Sequence, residues 1–416
     1  MATEFKRVSM IGLGYIGLPT AALMASRGLE VIGVDVNQSA VDTINAGDVH
    51  IVEPDLDIVV RSTVTTGNLR ATTAVEPADA FLIAVPTPFK GEYEPDLRYV
   101  EAATRSIAGV IEAGNLVILE STSPVGTTEK VEQWLKEERP DLKFPSEHGD
   151  NTDIFVAHCP ERVLPGHVLQ ELVSNDRIIG GIGQRSVEAA TALYRLFVKG
   201  QCIPTNARTA EMAKLTENAF RDVNIAFANE LSLICEKLEI DVWELIALAN
   251  RHPRVNILQP GPGVGGHCIA VDPWFIVDSA PELAKLISSA RHINDGKPGY
   301  VIDAVTRSSD RFKAPVVALF GLAFKANIDD LRESPAVHIA EQLGQHLDAR
   351  VIAVEPNIES LPASLAGAGV ELATINDALN TADIVVGLVD HDEFKSLSRE
   401  KLQAKVVHDF RGMWAK

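Results

Sequence analysis

Val8-Ser9-Met10-Ile11-Gly12-Leu13-Gly14-Tyr15-Ile16-Gly17 is the stretch whose reading decides the fold. The apolar run 8–13 reads as a buried strand, and a helical pattern, 19–27, follows the glycines. A second strand, 31–35, comes next and ends on Asp35. Gly12, Gly14 and Gly17 form a GxGxxG between strand and helix. In that place the glycines permit a tight turn, close approach of backbone to a pyrophosphate, and close packing of helix on strand. The helix N-terminus adds free N–H groups and a partial positive charge. Asp35 stands where the acid that binds a ribose hydroxyl belongs. It would repel the extra phosphate of NADP, so the pattern favours NAD. The plainer alternative is a set of turn glycines and a solvated strand end.

Working outward, 80–85 and 116–120 read as further strands of a parallel sheet covered on both faces. Their carboxyl ends carry hydroxyls, in Pro86-Thr87-Pro88 and Ser121-Thr122-Ser123-Pro124. Ligands bind at that edge of an open α/β sheet, which makes Thr87 and Thr122 candidate cofactor contacts, with a helix N-cap as the alternative. The polar stretch 137–153 reads as a surface loop. From 208 to about 240, apolar residues recur at helical spacing without Pro or Gly, predicting one long helix. Strands return at 316–322, 350–354, 384–389 and 406–410. The fold class is α/β: two Rossmann-like parallel-sheet domains joined by a central helical region with one long helix. The predicted boundaries are 1–205, 206–305 and 306–416.

The chain has 416 residues, 46% hydrophobic and 23% charged, which excludes disordered, collagen-like and coiled-coil classes. Thirty-eight Lys+Arg against 57 Asp+Glu give a net charge of −19. Such a chain repels phosphate backbones and anionic lipid, so neither nucleic acid nor a membrane surface is an expected partner. An anionic ligand needs a local basic pocket. No apolar run reaches the roughly 18 residues of a membrane span, and no signal-like segment precedes the first strand. Cys159, Cys202, Cys235 and Cys268 form no CxxC pair, so neither a metal site nor a disulfide framework is expected. Reduced thiols suit a cytoplasmic protein.

Two places carry reactive groups. Gly261-Pro262-Gly263-Val264-Gly265-Gly266-His267-Cys268 brings backbone close to a ligand and presents a thiol at the end of a loop. Cys268 is a candidate nucleophile, with Asp272 placed to orient a proton relay; a small buried thiol is the equal alternative. Cys202 and Cys235 read as core, and Cys159 as near a site without reacting. On the long helix, Lys214, Asn218 and Arg221 share a face at i, i+4 and i+7, which suits an anion or oxyanion, or else a solvated stripe. Arg251-His252-Pro253-Arg254 is a basic cluster that would suit a diphosphate.

Over nearly its whole length the chain resembles the UDP-glucose/GDP-mannose dehydrogenase family. The residues that carry this are the GxGxxG, Thr122-Ser123-Pro124, Cys159-Pro160-Glu161-Arg162, Lys214-Leu215-Thr216-Glu217-Asn218, 261–273 and Gly321-Leu322-Ala323-Phe324-Lys325. Within the family, 249–258, 159–165 and 329–335 look most like members that act on UDP-N-acetyl-D-mannosamine. The resemblance implies a four-electron oxidation of the sugar C6 alcohol to a carboxylate, with two NAD reduced and a thioester on Cys268. It implies that Lys214 and Asn218 stabilise an oxyanion, Lys214 alternatively moving the proton. Glu161 activates water and Asp272 positions it. Tyr15 and Ile16 join the glycines, Asp35, Thr87, Thr122 and Arg332 at the cofactor. Arg162, Val163, Lys214, Asn218, Arg221, His252, Arg254, Gly265, Phe324, Lys325 and Arg411 hold the UDP-sugar.

The same resemblance implies a homodimer or dimer of dimers joined through the long helix, a site in the cleft between domains, and a product used for a surface polysaccharide such as enterobacterial common antigen. Two features depart from the family pattern. Ala40 replaces a basic residue common near the adenosine. The second Rossmann-like turn, Phe320-Gly321-Leu322-Ala323-Phe324, lacks GxGxxG and is expected to take nucleotide-sugar, not a second NAD. Rival readings are the same chemistry on UDP-N-acetylglucosamine, UDP-glucose or GDP-mannose, a two-electron 6-phosphogluconate-type dehydrogenase, and a non-catalytic NAD-responsive protein.

Overall fold

The computed structural model describes residues 5–91, 93–164, 166–266 and 268–414. His267 and Pro165, which belong to two of the motifs quoted above, lie outside the described residues, as do the first four. The chain divides into two compact units, Met1–Thr216 and Glu217–Lys416.

The first unit is built on β1 (Arg7–Ile11), β2 (Glu30–Val34), β3 (Leu69–Thr72), β4 (Ala80–Ile83), the ribbon β5 (Phe89–Lys90) and β6 (Glu94–Pro95), β7 (Leu116–Leu119), β8 (Phe155–His158), β9 (Arg177–Gly181) and β10 (Cys202–Asn206). Apart from the ribbon they form one eight-stranded sheet, in the order β10-β9-β8-β7-β4-β1-β2-β3. Alternate residues feed two cores. Leu82, Leu116 and Ile118 face one, while Phe81, Ile83, Val117 and Leu119 face the other. This is the near-continuous apolar pattern of strands covered on both faces. One expectation is corrected: the sheet is not wholly parallel. β8 pairs antiparallel with β9, Ala157 opposite Gly181, and β9 and β10 run together against the rest. An antiparallel neighbour needs no crossover to the far end of the sheet. The stretch 137–153 is not all loop either. The helix Thr127–Glu138 enters it, and Pro145–His148 forms a short turn of helix with Phe144 and Pro145 buried.

The long helix runs from Ala207 to Lys237, 31 residues, and the division between the units falls within it. The second unit contains the rest of this helix, a 25-residue helix Lys285–Ser309, and a five-stranded parallel sheet. Its strands are β11 (Val316–Phe320), β12 (Arg350–Val354), β13 (Glu371–Leu372), β14 (Ile384–Gly387) and β15 (Val406–Asp409), in the order β13-β12-β11-β14-β15. Every strand predicted above is present. No helix among the described residues is long and apolar enough to cross a membrane, and none of their His, Cys, Asp and Glu cluster as a metal site.

Candidate functional site

In the first unit, Gly12 adopts φ +95°, and a Cβ there would fall 2.4 Å from Ala84 O at the end of β4. A Cβ on Gly17 would fall 1.9 Å from Gly12 O, so the helix Gly17–Ser26 rests directly on the turn. A Cβ on Gly14 would meet nothing within 4 Å, which leaves the backbone face of the turn open to a ligand. The helix begins without a side-chain cap and without an acid in its first turn. Asp35 Oδ2 accepts from Leu13 N at 2.9 Å, and Oδ1 from Asn37 N at 2.9 Å. Asp35 is half-buried and Tyr15 exposed. These features fit NAD: uncapped N–H groups and an open glycine for the pyrophosphate, and a carboxylate for the ribose. Ala40 is buried on the helix Gln38–Asn45, so this position offers no exposed cation.

The next strand ends along the sheet are tied to each other. Thr87 Oγ1 donates to Thr122 O at 2.6 Å, and Ser121 Oγ donates to Val85 O at 2.7 Å. At the end of β8, Glu161 is buried and ion-paired with the equally buried Arg177, and its Oε1 accepts from Arg162 N at 2.7 Å. Tyr194 Oη donates to Glu120 Oε1 at 2.6 Å, and the Arg177 guanidinium lies 5.6 Å from the Tyr194 ring centroid. Burial pushes the Glu120 carboxyl up to about 7, despite the Tyr194 hydrogen bond that opposes it. Burial likewise pushes the Cys159 thiol up to about 12, which makes it unreactive. Sequence reading had placed Glu161 near the chemistry and missed Arg177, Tyr194 and Glu120. No spacing signal joins residues on four separate elements. Val163 is half-buried, and Lys214 is buried on the long helix.

In the second unit the glycine loop is packed among side chains. A Cβ on Gly265 would lie 2.6 Å from Glu333 O and 3.1 Å from Phe324 Cβ, and one on Gly261 2.8 Å from an Arg411 guanidinium nitrogen. Cys268 follows the loop and is exposed, and no disulfide joins the four cysteines. Its carbonyl accepts from Asp272 N at 2.9 Å, which starts the helix Asp272–Ser279. Asp272 is buried, and its Oδ2 accepts from Asn218 Nδ2 at 2.5 Å. Thus Asn218 meets Asp272 beside Cys268, while Phe324 packs on Gly265 and Arg411 on Gly261 of the loop. Arg411 also donates to Asp390 Oδ1, at 3.0 and 2.7 Å. Arg221, His252, Arg254 and Lys325 are exposed, and Arg332 is ion-paired with Asp330. The anchor of the loop was not foreseen. Gly261 N donates to Asn229 Oδ1 at 2.9 Å, Asn229 donates to Asn294, and Asn294 to Asp222, which is ion-paired with Arg291. All four of these side chains are buried.

Three sequence-family profiles of the UDP-glucose/GDP-mannose dehydrogenase family match the chain: the NAD-binding domain over residues 6–198, the central domain over 208–296 and the UDP-binding domain over 318–416. The chain is 65% identical to an NDP-N-acetyl-D-galactosaminuronic acid dehydrogenase of Ralstonia nicotianae, covering 99% of this chain and 97% of that protein. It is 59% identical to the UDP-N-acetyl-D-mannosamine dehydrogenase of Escherichia coli K12, covering 99% and 100%. A solved UDP-D-ManNAc dehydrogenase from Pyrococcus horikoshii aligns with a TM-score of 0.87 at 39% identity, covering 98% of this chain and 96% of that one. The open glycine turn with its ribose acid, the thiol at the end of a glycine loop and these matches agree: the chain belongs to the UDP-glucose/GDP-mannose dehydrogenase family and is an NAD-dependent dehydrogenase.

Proposed function

We propose that the chain oxidises the C6 alcohol of UDP-N-acetyl-D-mannosamine to the carboxylate in two two-electron steps. The exposed Cys268, following the glycine loop and one turn before Asp272, whose carboxylate pairs with Asn218, is the observation that carries this reading. NAD, when bound, supplies the two-electron acceptor for each step. Sγ of Cys268 adds to the C6 aldehyde and holds it as a thiohemiacetal, so the half-oxidised sugar is not lost between steps. The second oxidation leaves a thioester. Water attacks its carbonyl carbon, the C–S bond breaks, and carboxylate and thiol are released. Lys214 and Asn218 are assigned to the oxyanion. Glu161 is assigned to the attacking water; Oε1 accepts from Arg162 N and Oε2 from Arg177, and each carboxylate oxygen has a second lone pair that can accept from water. Asp272 holds the Asn218 amide in place.

The 59% identical relatives support the mannosamine sugar. The 65% identical relative favours a second reading, an NDP-linked N-acetylgalactosamine. The three-part division 1–205, 206–305 and 306–416 is retained as the functional one. A second copy of this chain is assigned to the exposed apolar residues Phe220, Phe227, Ile234 and Leu238, spaced along one side of the long helix and its end. A cytoplasmic protein making an activated aminosugar acid suits surface polysaccharide synthesis. The test is NADH formed per sugar consumed, for wild type and Cys268→Ser. Two NADH per UDP-N-acetyl-D-mannosamine, with the variant stalled, is the expected result. One NADH per sugar with the variant unimpaired would overturn the thioester route. Two NADH from the galactosamine sugar alone would keep the route and change the substrate.

A further inference from the structure

A cavity of about 560 Å3 lies wholly within the second unit, on residues that the proposed chemistry leaves unused. Lys297 lines it from the helix Lys285–Ser309 and is itself 3% exposed. A buried ammonium normally meets a carboxylate, because a charge taken out of water is costly unless paired. Lys297 Nζ instead donates to Ser232 Oγ at 2.7 Å and stands 5.0 Å from the Tyr300 ring centroid. Glu236 acts on it only through its field, and burial lowers the ammonium to about 8. No other Lys or Arg is among the lining residues.

The remaining walls narrow the choice of occupant. Trp243, Tyr300, Phe410 and Trp414 are among the lining residues, Phe410 stacked on His408 and Trp414 held by its Nε1 bond to Phe394 O. Asp241 is already committed to Trp243 N and Glu244 N, and Asp409 to the backbone N–H groups of Arg411, Met413 and Trp414. Burial lowers the pKa of His408, whose Nε2 is bonded to Ser308 Oγ at 2.8 Å, so it adds no charge at neutral pH. Glu236 is exposed. The cavity therefore offers one buried cation, flat apolar walls and surrounding carboxylates that would repel a polyphosphate.

We propose that this cavity binds a planar aromatic monoanion, its carboxylate or sulfonate paired with Lys297 Nζ and its ring stacked on the aromatic walls. The volume lies in the range of small-molecule pockets. Offset stacking on Trp and Tyr supplies contact area, and a charge-assisted bond from an ammonium is the stronger kind. A Cβ on Gly412 would fall 2.5 Å from the Trp243 ring, so the same wall braces the segment that carries Arg411.

Calorimetric titration of the full chain with 1-naphthoate, neutral 1-naphthamide and cationic 1-naphthylmethylamine tests this. Saturable binding of one naphthoate per chain is expected, with the amide and the amine at least tenfold weaker. Lys297→Met should weaken naphthoate at least tenfold, and Ala304→Phe, which fills the cavity and keeps the charge, should do the same. Melting curves show whether each variant folds, and either one suffices. Absence of saturable naphthoate binding, equal affinity for the amide or the amine, or unchanged affinity in a folded variant would each overturn the proposal. So would displacement of naphthoate by NAD, which would put the probe on the dinucleotide turn.

Discussion

The turn after β1 and the turn after β11 are built alike. Gly12 N donates to Val34 O at 2.8 Å, and Gly321 N to Val354 O at 2.9 Å. Each glycine has a positive φ, +95° and +98°, and in each a Cβ would strike the end of the next parallel strand, at Ala84 or at Val389. In each, the residue after that carbonyl is an acid that accepts an N–H of the turn: Asp35 from Leu13, and Glu355 from Leu322 and Ala323. There the likeness ends. Asp35 is half-buried, and a helix starts at Gly17. Glu355 is buried and accepts from Nε2 of buried His391 at 3.0 Å; Nδ1 of that ring takes Asn327 N, which fixes the tautomer. No helix follows until Pro335, and the loop between carries Phe324, Lys325 and Arg332. The first turn offers backbone N–H groups and an accessible acid. The second offers loop side chains, its acid being spent on structure. An acid at the end of the second strand is therefore no mark of a dinucleotide site unless something leaves it accessible.

The largest effect that would break this comparison is at Gly17. A Cβ at 1.9 Å from a backbone carbonyl forces helix and turn apart, so Gly17→Ala should cost about 3 kcal/mol or more and abolish NAD binding. Thermal melts and an NAD titration check both, and unchanged melting would show that the turn can yield. Glu355→Gln comes next. Burial alone would raise the Glu355 carboxyl, yet the His391 hydrogen bond and the turn N–H groups hold it below its usual value. A depressed carboxylate contributes stability that is complete above its unfolded pKa of about 4.3 and is lost as pH falls through the lower folded value. Glu355→Gln should thus lose about 2 kcal/mol at pH 7, progressively less on acidification, with NAD affinity unchanged. Urea melts at pH 7 and pH 4 measure this, and weakened NAD binding would erase the distinction between the turns. The smallest effect is at Asp35. Asp35→Asn keeps one acceptor for Leu13 N but drops the charge. It should weaken NAD about tenfold and narrow the preference over NADP, read from initial rates with each cofactor.

Much of this was legible in one dimension. The buried strands β1, β2, β4, β7, β11, β12 and β14 announce themselves as apolar runs, and the long helix as an unbroken helical period without Pro or Gly, while β8, equally buried, goes unread as a four-residue run beside the polar stretch 137–153. The strands that escaped notice have physical excuses. β3 and β10 are the edges of the large sheet, and β10 contains Pro204, which cannot donate to a ladder. β9 ends in Gly180 and Gly181, where no side chain signals burial. The direction of β9 and β10 lies in their partners, not in their own residues.

The sequence by itself determined the strand–glycine–helix order at Gly12–Gly17, the thiol after a glycine loop, and the acidic charge balance, because each depends on residue type and local spacing. Only the tertiary structure decided which acid is accessible and which is buried, Asp35 or Glu355. It alone set Asn229 and Asn294 beneath the cysteine loop, Arg177 against Glu161, and Lys297 in a cavity where its ammonium is bonded to a serine hydroxyl and not to a carboxylate. Those outcomes depend on which distant elements pack together, and on how far packing removes a charge from water.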